Sequence, residues 1–107
     1  MVRSLNKVFL IGNAGTDPEV ATSRSGHRVA TFRMATDRPG SNGPGRTDWH
    51  TVVAWDTLVP LLERRVRKGD RVYVEGRIET REERVRGKRQ SRTEIVAEDV
   101  IPLGRRN

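Results

Sequence analysis

Trp49-His50-Thr51-Val52-Val53-Ala54-Trp55 holds both tryptophans of the chain, in a run rich in β-branched residues. Read as a strand, it alternates faces. Trp49, Thr51, Val53 and Trp55 then share one side, and His50, Val52 and Ala54 share the other. At about 3.3 Å per residue, the two indoles stand roughly 20 Å apart on one surface. Large aromatics usually pack inside, so one reading makes both rings core. The other makes them a platform for flat groups to stack on.

Upstream lies Asp37-Arg38-Pro39-Gly40-Ser41-Asn42-Gly43-Pro44-Gly45-Arg46, with three glycines and two prolines in ten residues. Such punctuation predicts a long mobile loop inside one domain. Before it, His27 to Thr36 reads as a strand. Ala30, Phe32 and Met34 form its core side, and Arg33 points to the opposite face with Val29, Thr31 and Ala35. Val8-Phe9-Leu10-Ile11 is a continuous apolar run of the kind found in strands buried on both faces, within a barrel or against another subunit. Residues 14–26 read as an irregular connection, with turn signals at Asp17-Pro18 and Ser23-Arg24-Ser25-Gly26.

Downstream a helix is expected. Asp56 or Thr57 can cap it, Pro60 fits its first turn, and Leu58, Leu61, Leu62 and Val66 make an apolar stripe. Gly69 suits the left-handed residue past its end. Arg71 to Arg81 alternates, with Val72, Val74, Gly76 and Ile78 inward and Tyr73, Glu75, Arg77 and Glu79 outward. A basic connection with a turn near Val85–Arg89 leads to a last strand from Arg92 to Leu103. The order is three strands, one helix and two strands, with long connections after the first, second and fourth strands. This predicts an all-β fold: a five-stranded OB-fold barrel (oligonucleotide/oligosaccharide-binding type) with one helix between strands 3 and 4. At 107 residues, 1–107 is a single domain.

Hydrophobic residues make up 34% of the chain against 33% charged, with a formal net charge of +7. An excess of this size points to a polyanionic partner. All basic residues but Lys7, Lys68 and Lys88 are arginines, whose planar fork grips phosphate and stacks on rings. There is no cysteine, so disulfides and thiolate metal sites are excluded. His27 and His50 lack further ligands at metal-binding spacing, and no glycine loop cradles phosphate ahead of a helix. No cofactor, metal or catalytic residue is expected, and the chain does not read as an enzyme. The first seven residues carry no apolar signal core and no run approaches membrane-spanning length, so an intracellular, membrane-free protein is expected.

A sequence-tolerant binder of single strands needs a basic groove for the backbone and ring faces for the bases. The shared-face tryptophans and the basic connections fit that need. A duplex reader would offer a recognition helix, and the one helix expected here turns its apolar stripe inward.

Several pieces together resemble the bacterial single-stranded DNA-binding proteins. They are Asn6-Lys7-Val8 with Gly12-Asn13 and Gly15-Thr16-Asp17-Pro18-Glu19; Ala35-Thr36; Thr47-Asp48-Trp49-His50 through Val53; and Arg67-Lys68-Gly69 running into Val72-Tyr73-Val74-Glu75-Gly76-Arg77 and Thr80-Arg81. They occur in family order over nearly the whole chain. The resemblance implies sequence-independent binding and protection of single-stranded DNA in replication, recombination and repair, on a cytoplasmic, nucleoid-associated homo-oligomer, commonly a tetramer. It makes Trp49 and Trp55 stacking residues, Arg3, Lys7, Lys68 and Arg81 basic contacts, and His50 a residue near a subunit contact. The alternation adds Arg33, Thr51 and Arg77 to the binding face, and the basic connection adds Arg84 and Arg86.

The chain departs from the family pattern in three places. Arg38-Pro39-Gly40 and Glu82-Glu83 stand where other stacking aromatics are usual, so arginine stacking by Arg38, Arg84 or Arg86 is the expected substitute. The acidic, apolar-ended tail that recruits replication and repair proteins is missing after Gly104-Arg105-Arg106-Asn107, as in a trimmed chain or a tail-less paralogue. Two alternatives stay open: a dimeric, primosome-type accessory protein of the same fold, and an interaction module whose charge serves RNA or protein contacts.

Overall fold

Period-two alternation builds the wall of the barrel. In the computed structural model, which describes residues 3–40, 42–43 and 45–105, strand β3 (Arg28–Arg38) turns Ala30, Phe32 and Met34 inward. Strand β4 (Arg46–Trp55) turns Val52 and Ala54 inward, and all five side chains are fully buried. The two strands are antiparallel in an unbroken register from Val29–Trp55 to Arg38–Arg46. Burying a phenylalanine such as Phe32 contributes roughly 1.5–3 kcal/mol. The remaining strands are β1 (Val8–Ala14), β2 (Glu19–Thr22), β5 (Asp70–Val85) and β6 (Lys88–Arg105).

Five strands close a ring in the order β1-β5-β6-β4-β3, completed where Asn13 and Ala14 of β1 pair with Ala35 and Met34 of β3. The β4–β6 contact is the parallel one, through Val52–Ile95 and Val53–Val96. The expected barrel is therefore present. A sixth strand, β2, forms a hairpin with β3 in the stretch read as an irregular connection, so the helix follows the fourth strand in chain order.

That helix, α1 (Val59–Arg65), follows a 3₁₀ turn at Asp56–Leu58 and closes one end of the barrel with Val59, Leu62 and the adjoining Val66. Neither Asp56 nor Thr57 caps it. Asp56 instead accepts the backbone N–H of Arg28 at 3.0 Å and lies 2.9 Å from His27 Nδ1, tying the turn to the start of β3. Gly69 does take a left-handed φ of 93°, but four residues past the helix, where its N–H bonds to Ala14.

Two connections are shorter than expected. Asp37 and Arg38 pair with Thr47 and Arg46, so the loop between β3 and β4 starts later and ends earlier than expected, at 39–45; its Ser41 and Pro44 lie outside the described residues. The basic stretch after the fourth expected strand is no loop. β5 and β6 run on as one hairpin to a two-residue turn, Arg86-Gly87, both with positive φ. Such a turn matches the twist of the strands it joins. Beyond Thr80 the hairpin leaves the barrel, with every residue from 80 to 93 exposed. Ile78, expected inside, sits at this exit and is exposed.

Candidate nucleic-acid interface

The outward face of β4 decides the question posed by the two tryptophans. Trp49 is 53% exposed and Trp55 37%, so neither is core. Trp49 stands across from Ala35 of β3, and beyond Ala35 runs the end of β1. Gly15 lies there, its N–H bonded to the carbonyl of Arg33 at 2.6 Å. A Cβ on Gly15 would fall 2.3 Å from Cζ3 of Trp49. Two small residues, Gly15 and Ala35, thus make the floor that seats the indole.

Over the same ring stands Arg33, its Cζ 5.1 Å from the centroid. A cation–π contact at an exposed site is worth about 0.5–1 kcal/mol, whereas a nucleic-acid base stacked on an aromatic gains about 1–3 kcal/mol. Beside the ring opens a groove of about 280 Å³ lined by Asn13, Ala14, Gly15, Ala35, Asp37, Thr47, Trp49, Lys68 and Gly69. Lys68 reaches it from the turn after α1, a turn held by the Lys68 N–H bonded to Asp17 at 2.8 Å and by Gly69 bonded to Ala14. Asn13 Oδ1 is buried without a hydrogen-bond partner.

The residues expected at the site fall into three groups. Trp49 and Lys68 line the groove and Arg33 lies over the Trp49 ring, with Thr51 directly across from Arg33. Trp55 shares the face but sits at the far end of β4, opposite Val29. Arg84 and Arg86 are exposed at the tip of the β5–β6 hairpin, and Arg3 is exposed ahead of β1. Lys7, Arg77 and Arg81 are held by carboxylates. Lys7 Nζ lies 3.1 Å from Glu75 and 3.0 Å from Glu98, and Arg77 lies 2.6 Å from Glu79. Arg81 lies 3.6 Å from Glu94, a carboxylate only 5% exposed. Arg38, named as a stacking substitute, pairs with Asp48 at 2.8 Å.

His50 is on the inward side of β4, half-buried, with Nε2 2.8 Å from the Thr36 hydroxyl. Sequence reasoning missed Gly15, Asn13, Asp37 and Thr47. The glycine read only as a turn, because its role depends on a ring that arrives from 34 positions along the chain.

Comparison with known proteins follows the same lines. Residues 5–103 match the model of the single-strand binding protein family. The chain is 41% identical to single-stranded DNA-binding protein 1 of Chlorobaculum tepidum, over 97% of its own length and 68% of that protein. It is 48% identical to the single-stranded DNA-binding protein of Bacteroides thetaiotaomicron over 73% of the chain, and 45% identical to that of Rickettsia typhi over 76%. These matches span only 52% and 57% of the two proteins. Among solved structures, a Plasmodium falciparum SSB complex with ssDNA superposes with a TM-score of 0.84 at 36% identity, covering 96% of this chain and 98% of that one. A barrel, a face and a sequence that agree over nearly the whole chain have one explanation: the chain belongs to the single-strand binding protein family.

Proposed function

We propose that this protein binds single-stranded DNA without sequence preference, as a binder and not an enzyme. The observation that carries the reading is Trp49, a half-exposed indole seated on Gly15 and Ala35 beside the Lys68 groove. Bases stack on the ring, and Arg33, Lys68 and the arginines of the β5–β6 hairpin neutralise the backbone. Titration with oligothymidine should quench tryptophan emission, with an affinity that falls as salt rises because counterions are released. Emission unchanged by oligothymidine at low salt would overturn the reading.

We further propose that the working form is a homo-oligomer. Along β1, residues Val8 to Asn13 pair with β5 on one side, and among the described residues only Asn13 and Ala14 pair with β3 on the other. The remaining edge is free to take a second copy's strand, as unpaired edges do. Phe9 and Ile11 are exposed beside that edge, and Ile11, Tyr73 and Ile101 form a row across β1, β5 and β6. Val8–Ile11, read from the sequence as buried on both faces, would gain its second buried face this way. A cytoplasmic place, and partners in replication and repair, accompany the function in this reading. Among the described residues no helix is long and apolar enough to cross a membrane.

A further inference from the structure

We infer that Arg33 serves Trp49 twice: in the free protein its guanidinium occupies the ring face on which a base stacks, and in the complex it moves to the phosphate of the nucleotide that displaces it. This rests on the reading of the groove as a single-strand site.

The backbone of Arg33 is fixed on both sides. Its N–H donates to the Thr16 hydroxyl at 3.0 Å, and its carbonyl accepts from the Gly15 N–H at 2.6 Å. Gly15 is also the seat of the indole. The root of the arginine and the floor under the ring are therefore one rigid unit, and only the side chain of Arg33 is free to swing. Its guanidinium lies over the ring at 5.1 Å, and among the described residues no carboxylate is within ion-pairing distance of it. Neighbouring cations differ in this respect, since Lys7, Arg38, Arg77 and Arg81 are each paired. A guanidinium with a ring and no anion is held by the weaker of the two contacts the ring can make. A base takes the ring, and the phosphate that arrives with it supplies the anion the arginine lacks.

Such an exchange keeps an exposed indole covered when no DNA is bound. It also makes one residue contribute to both cover and charge, and the two are separable. In a Trp55→Phe background Trp49 is the only tryptophan, so acrylamide quenching reads its cover and oligothymidine titration reads the complex. Arg33→Gln should raise the acrylamide quenching constant of the free protein. It should also weaken oligothymidine binding about threefold at low salt and reduce the magnitude of the salt slope by about 0.7, one phosphate contact. Arg33→Lys should keep the slope. Unchanged acrylamide quenching in Arg33→Gln overturns the cover. Tighter binding by that variant, or an unchanged salt slope, overturns the move to phosphate. If the Trp55→Phe parent does not respond to oligothymidine, the groove reading fails and the phosphate step with it. The acrylamide difference, measured without DNA, tells that failure from a failure of the cover.

Discussion

The barrel exposes apolar groups on two surfaces, and they differ in the charges around them. On the β3–β4 side the indole of Trp49 stands beside Arg33 and Lys68, neither of which has a carboxylate partner among the described residues. On the β1–β5–β6 side Phe9, Ile11, Ile101 and Leu103 are as exposed, Phe9 at 61%. There Lys7, the cation over the Phe9 ring, is held between Glu75 and Glu98. Exposure alone does not distinguish a ligand face from a subunit face. The state of the cations does: unpaired positive charge suits a polyanion, whereas a surface that neutralises itself suits another protein surface.

Phe9→Asp tests the second surface and carries the largest expected effect. If that face meets a second copy, the new carboxylate is buried beside a lysine, Lys7, that is already paired with Glu75 and Glu98, at several kcal/mol per site. Sedimentation should show the oligomer reduced to monomers, while each monomer keeps its oligothymidine-dependent quenching. An unchanged mass would remove the subunit half of the contrast.

Trp49→Ala tests the first surface. It should weaken binding by about 1–3 kcal/mol, the contribution of one stacked base, and leave the mass unchanged. Because the ring is half exposed, thermal stability should hardly move. Trp55→Ala should cost less, since Trp55 is less exposed and lies away from the groove. A Trp49→Ala protein that unfolds, yet binds normally per folded molecule, would return the indole to the core.

The part of this contrast legible in the sequence is the part written locally. Ala30-Phe32-Met34 and Val72-Val74 alternate with less buried neighbours, and Trp49 to Trp55 does so except at the buried Val53, so a period of two shows which residues face inward. The hairpin arm from 80 to 93 is polar on both sides, so alternation carries no signal there and a paired strand reads as a basic loop. Short β2, with one half-buried residue in four, fails for the same reason. The state of Lys7 was illegible because it is decided at long range. Lys7 and Glu98 are 91 positions apart, and nothing near Lys7 in the sequence says that a carboxylate waits for it.

A smaller effect separates these two lysines. Lys68 is exposed on the groove and should release a counterion when phosphate binds, so Lys68→Gln should lower the magnitude of the salt slope by about 0.7. Lys7 is already neutralised within the fold, so Lys7→Gln should change the slope far less. Equal changes would mean that DNA takes Lys7 from its carboxylates, and the two surfaces would then be one.

The smallest effect is a pH dependence confined to the second surface. Hydrogen bonds from Lys7 and then from the Tyr73 hydroxyl hold the Glu75 carboxyl below its ordinary value of 4.5. A carboxyl depressed in the folded state contributes stability above its unfolded value, and that contribution is lost as pH falls through the folded value. Lys7 is raised above 10.5, first by its hydrogen bond to Glu98 and then by that to Glu75, so its contribution disappears only as pH rises through the raised value. The pair therefore stabilises the fold throughout the neutral range and fails at acid pH through Glu75. In thermal melts from about pH 6 down to about pH 3, Glu75→Gln should flatten part of the wild-type decline, and Lys68→Gln should leave it as it is. A decline that survives Glu75→Gln intact would place the acid-sensitive group elsewhere. The cation of the second surface would then be held no more firmly than those of the first.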